Sequence, residues 1–130
     1  MTATGTFQVK LLPMANYVAG EQGISLGRMS IDKQFSGDLT ANSKGEMLSA
    51  LTPVKGSAGY VAIEQVSGSL QGKQGSFVLQ HSGIMNQGDK QLQLVVVPDS
   101  GSEELTGLTG DMTIDIVDGV HHYRFDYVLP

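Results

Sequence analysis

The sequence predicts an all-β fold: a single closed or nearly closed antiparallel β-barrel of about eight strands. Three observations carry this. Seventeen glycines recur every few residues between β-rich segments. No stretch places apolar residues at helical spacing over three turns. Within the segments apolar and polar residues tend to alternate, and tight-turn signals separate them. The segments run over residues 6–12, 25–35, 39–51, 58–70, 76–85, 90–97, 111–117 and 120–129. An even count of meandering strands suits closure, which leaves no sheet edge exposed.

Composition bounds the rest. A chain of 130 residues fits one domain, 1–130, because two domains of half that size would each be marginal. Hydrophobic residues at 40% supply a core, and charged residues at 16% are too few for a disordered chain. The net charge is -5, and the eight Lys plus Arg are scattered singly, so no basic stripe exists for nucleic acid or an anionic membrane surface. With no cysteine there is no disulfide, no thiolate nucleophile and no Cys-based metal site, which suits a reducing compartment; a cytoplasmic location is the expectation. Met1 to Lys10 has no basic segment followed by an apolar stretch, and the aliphatic run 94–97 stops at Pro98, so neither secretion nor membrane spanning is expected.

The turns fix registers. Asp118-Gly119 tolerates the positive φ angles of a type I′ hairpin and sets Ile116 opposite His121, Ile114 opposite Tyr123 and Met112 opposite Phe125. A turn centred on Gly72-Lys73 sets Val66 opposite Leu79, Gly68 opposite Phe77 and Glu64 opposite His81. A turn at Gln87-Gly88 then sets His81 beside Leu94 and Leu79 beside Val96. Glu64 and His81 thus share a face with Tyr60, Val66, Phe77, Leu79, Leu92, Leu94 and Val96: an apolar face holding two titratable groups. On the opposite face Val61, Ile63, Ile84, Val95 and Val97 sit among glutamines and Ser82, a density of outward aliphatics that fits either cover by a second copy or a valine-rich surface. Residues 35–39 read as a hairpin or as a glycine bulge, and Pro98 to Gly110 as a long loop at a barrel mouth, where binding residues gather.

Five stretches carry a family likeness: Phe35-Ser36-Gly37-Asp38-Leu39, Ser43-Lys44-Gly45-Glu46-Met47-Leu48, Tyr60-Val61-Ala62-Ile63-Glu64, Gly75-Ser76-Phe77-Val78-Leu79-Gln80-His81-Ser82-Gly83 and Val97-Pro98-Asp99-Ser100-Gly101. They resemble the bacterial family called domain of unknown function 3224 over essentially the whole chain. Members are similar to the allene oxide cyclase barrel, a calycin-type fold, and Gly101 to Gly110 is similar to a glycine-rich turn of those barrels. The resemblance implies the fold; the family has no settled reaction, and no motif places cyclase catalytic residues on this chain.

Glu64 beside His81 is the sharpest chemical signal. A carboxylate favours the protonated form of a facing imidazole and desolvation opposes charging either, so the pair reads as a general base, a polar hook for a ligand, or a self-satisfied buried pair. Tyr60 adds a phenolic donor or a plain core aromatic; Arg28 or Lys33 offers an anion contact, with Lys33 otherwise a solvated surface residue. Several tempting features carry nothing. His121 and His122 point to opposite faces and cannot easily share a metal ion. Ser82 points away from His81, Gly72-Lys73 lacks the spacing and helix of a phosphate loop, and Glu103-Glu104 solvates its loop. The expectation is a barrel that binds a small, largely apolar ligand through Glu64, His81, Tyr60, Leu79 and Leu94, with no cofactor and no metal. The alternatives are an isomerase or cyclase in which Glu64 and His81 move a proton, and a structural homo-oligomeric module without ligand.

Overall fold

Alternation decides which side of each strand faces inward, and short turns decide which strands pair. The computed structural model describes residues 1–130. It contains β1 (Thr2–Pro13), β2 (Ser25–Gly37), β3 (Leu39–Leu51), β4 (Ala58–Leu70), β5 (Lys73–Asn86), β6 (Asp89–Val96), a 3-10 turn (Glu103–Leu105), β7 (Thr109–Val117) and β8 (Val120–Val128). Each strand pairs antiparallel with its neighbour in the chain, and β1 pairs with β8, which closes an eight-stranded barrel. No helix is long and apolar enough to cross a membrane.

Two of the three expected hairpin registers hold. Ile116 lies opposite His121 and Met112 opposite Phe125; His81 lies opposite Leu94 and Leu79 opposite Val96. The third is corrected. The β4–β5 turn is Gln71-Gly72, both at positive φ (46° and 88°), so Leu70 pairs with Lys73 and every partner moves by two residues from the expected one. Glu64 therefore faces Leu79, and His81 faces Ala62. Because the error is two residues and not one, no side chain changes face, and Glu64 and His81 become diagonal neighbours still within reach of long side chains. Residues 35–39 form a hairpin: Phe35 pairs with Ala41, and Gly37 turns the chain at φ 105°.

The two ends of the barrel differ. At the end where β2 meets β3 and β4 meets β5, Leu39, Leu70, Leu105 and Leu108 are fully buried, and Phe77 stacks on Phe125 at 5.7 Å. The Pro98 to Gly110 connection belongs to this plug and does not frame a binding mouth. Ser100 and Ser102 accept hydrogen bonds from the backbone N–H groups of Val78 and Ser76, and the 3-10 turn presses Leu105 into the core. The Tyr123 hydroxyl stitches the same end, accepting from Leu39 N–H and donating to Ser36 C=O.

At the other end, inward-facing residues stay partly in water. Leu11, Leu92 and Ile116 are 44%, 43% and 64% exposed although their pairing puts them on the inner face. Met29, Met47, Tyr60, Met85 and Ile114 are half-buried there. β6 and β7 share only two residue pairs, Leu94 with Met112 and Val95 with Asp111, so the remainder of each strand diverges from its neighbour and the wall is parted on that side. The result is a barrel solid in one half and cup-like in the other. On its outside, Val61, Ile63, Ile84 and Val95 are exposed as the alternation required.

Candidate functional site

Midway along the interior, where the solid half gives way to the cup, four polar side chains meet. β2 turns Lys33 inward between Ile31 and Phe35, β3 contributes Ser43, β4 Glu64 and β5 His81, and all four are buried. Register explains how residues on β2 and β4 meet across β3. The residue of β3 opposite Glu64 is Gly45, where a Cβ would stand 2.6 Å from Glu64 Cα and 2.8 Å from Glu64 Cβ. With no side chain there, the Glu64 carboxylate lies over β3 and reaches both Ser43 and Lys33.

The carboxylate is the hub. Oε1 accepts from Ser43 Oγ at 2.6 Å, and Oε2 accepts from Lys33 Nζ at 2.8 Å and is hydrogen-bonded to His81 Nε2. Burial alone raises the Glu64 carboxyl, but the His81 hydrogen bond and the Lys33 charge outweigh it and bring the group down to about 2. Glu64 is therefore ionised at neutral pH with both oxygens engaged. Its role is to anchor, since a carboxylate held so low is a poor proton acceptor.

The basic groups retain capacity. An ammonium has three donors; Lys33 gives one to Glu64 and rests over the Phe7 and Phe35 rings, 4.8 and 5.8 Å from their centroids. No buried side-chain nitrogen or oxygen lacks a partner, whereas His81 Nδ1 makes no hydrogen bond, so the small exposed part of that side chain, 6%, includes Nδ1. By the same reasoning the Tyr60 hydroxyl is open to water. Burial first, then the Glu64 charge, raises the Tyr60 phenol above its ordinary value, so it is a donor at neutral pH. The Tyr60 and His81 rings stand 6.4 Å apart. Tyr60 lies across Gly83, where a Cβ would meet its ring at 2.3 Å.

The structure thus brings together Glu64, His81 and Tyr60 of the residues expected from sequence. Leu79, opposite Glu64, and Leu94, opposite His81, are fully buried. Lys33 is a correction: it is 7% exposed and bonded to Glu64, not solvated, because β2 alternation turns it inward and the carboxylate compensates its charge. Arg28 lies outside the cluster, paired with Glu46 on the outer surface. Ser43 and the mouth methionines Met29, Met47 and Met85 were not among the site residues expected from the sequence. Counting alternate residues back from Phe35 and forward from Leu39 finds Lys33, Met29, Ser43 and Met47.

An eight-stranded meander barrel with an ionised interior cluster at the base of an apolar cup defines a small β-barrel protein with a candidate interior binding site. The chain belongs to the family described as protein of unknown function DUF3224, whose model matches residues 3–127. It is similar to the crystal structure of a protein of unknown function from that family in Shewanella oneidensis MR-1, with 58% sequence identity and a TM-score of 0.98 over 100% of this chain and 97% of that one. No curated protein matches the chain.

Proposed function

We propose that the barrel binds a small, largely apolar molecule in the cup, with the polar cluster at its base fixing one end. The observation that carries the reading is the mismatch between pairing and exposure: Leu11, Leu92 and Ile116 belong to the inner face yet remain 43% to 64% in water. A filled barrel would bury them. Half-buried Met29, Met47 and Met85 supply an adaptable lining, since unbranched thioethers repack around differently shaped guests. The test is titration with an environment-sensitive apolar dye, followed by Ile114→Trp to narrow the cup. Saturable binding that the substitution weakens supports the reading; the absence of saturable binding overturns it.

A second reading, an isomerase or cyclase, rests on His81. Glu64 fixes Nε2, which leaves Nδ1 as the open ring nitrogen, the arrangement of an oriented general base. Under it His81→Gln abolishes turnover of a substrate that still binds; undiminished turnover rules it out. The outer aliphatic face supports association of identical copies. On β4 to β6 the outward residues are uncharged except Asp89 at a hairpin end, and glutamine both donates and accepts, so the face complements itself. Light scattering tests this: Ile63→Lys should convert an oligomer to monomer, and a monomeric parent chain removes the idea.

A further inference from the structure

We infer that the molecule held in the cup is a monocarboxylic acid whose acid group docks on Lys33, His81 and Tyr60 and whose apolar body points to the open end; this rests on the cup being a binding site. The argument is one of spare valence. Two basic side chains converge on a single carboxylate, and that carboxylate is spent on Lys33, Ser43 and His81. Lys33 keeps donors beyond its one hydrogen bond, and His81 Nδ1 and the Tyr60 hydroxyl have no partner in the chain. A cationic head group would meet the Lys33 charge with only neutral acceptors, His81 Nδ1 and the Tyr60 oxygen, beside it and no free anion, which is costly in a desolvated site. A hydroxyl head group would leave most of that donor capacity unused. A second carboxylate uses all of it.

The proton balance also closes. A carboxylic acid entering undissociated breaks its O–H bond and passes the proton to the lone pair on His81 Nδ1. The resulting carboxylate then lies between an imidazolium and the Lys33 ammonium. With Glu64 the cluster then holds two cations and two anions, so no uncompensated charge is left among apolar neighbours. Above it, the inner face from His81 to Met85 spans four residues; at a rise of ~3.3 Å per residue and a strand tilt near 40° that is a depth of about 10 Å, room for a body of medium length.

The test is calorimetric titration of the protein with octanoate, 1-octanol and octylamine, three ligands with one apolar body and different head groups. The expected result is octanoate binding at least tenfold tighter than either, with the preference lost in the Lys33→Met/Glu64→Gln double variant, which removes the charges together and so avoids an orphaned one. His81→Gln should weaken octanoate about tenfold and leave 1-octanol unchanged. Equal binding of octanoate and 1-octanol, or a preference that survives the double variant, overturns the inference and leaves the apolar cup standing. Failure of all three to bind removes the cup as a binding site and the inference with it.

Discussion

Glu64→Gln isolates what holds the interior cluster together. The substitution keeps the shape of the side chain and removes its charge from a position 2.8 Å from Lys33 Nζ, where the lysine side chain is 5% exposed. Breaking one side of a buried ion pair costs about 3–5 kcal/mol, because the remaining charge has neither water nor partner. Here the Phe7 and Phe35 faces offer Lys33 partial compensation, which places the expected loss near the lower bound, ~3 kcal/mol. With a urea m-value of ~1.5 kcal/mol/M, the unfolding midpoint should fall by about 2 M. Replacing the pair together, Lys33→Met/Glu64→Gln, leaves no unpaired charge and should recover most of the loss, since well-packed replacements of buried pairs are often neutral or stabilising. The assay is urea denaturation of parent, both single variants and the double variant as a cycle. A loss under ~1 kcal/mol in Glu64→Gln, together with no recovery in the double variant, would refute a buried, mutually dependent pair.

The same carboxylate sets an acid limit. Its pKa is about 2 in the folded protein against 4.5 unperturbed, so its stabilisation is fully present above pH ~4.5 and is lost as pH falls toward 2. Thermal melts from pH 7 to pH 2 should show this acid limb, and Glu64→Gln should flatten it. Tyr123→Phe strands the buried Leu39 N–H and should cost about 1–3 kcal/mol, seen as a lower melting temperature with an unchanged β-sheet circular dichroism spectrum. Gly45→Ala puts a methyl 2.0 Å from Ile63 O and 2.6 Å from Glu64 Cα, both backbone atoms that cannot swing aside. It should part β3 from β4 and destabilise by more than the ~1–3 kcal/mol usual for overpacking; a parent-like melt would show that the strands adjust. Where β6 and β7 diverge, the amides of Leu92, Ile114 and Ile116, which point away from β5 and β8 and into the gap, should exchange with deuterium faster than those of β3 and β4, and equal protection would mean the gap is closed in solution.

How much was legible in the sequence varied with the kind of signal. Asp118-Gly119 and Gln87-Gly88 named their own registers, because a two-residue turn at positive φ leaves one way to pair the flanking strands. Gln71-Gly72-Lys73 offered two adjacent turn centres. The choice between them depended on Gln71 adopting φ 46°, an uncommon state for a residue with a Cβ, and Leu70 being buried in the closed end is the tertiary context that goes with it. The outward Val61, Ile63, Ile84 and Val95 followed from period-two alternation alone.

The cluster was half legible. Local sequence put Glu64 and His81 on one apolar face, since that needs only face parity, which survives a two-residue slip. Period-two counting from Phe35 and Leu39 turns Lys33 and Ser43 inward, but a lysine between polar neighbours still reads as solvent-facing until a carboxylate from two strands away is known to lie over Gly45. Likewise the Pro98 to Gly110 connection reads as a mouth loop until its Leu105 and Leu108 are seen to plug the closed end. Sequence by itself determined strand count, facing and most turns, all properties of neighbouring residues. Only the closed barrel decided which end is solid and which is open, and what Lys33 touches, because those depend on residues far apart in the chain competing for one interior.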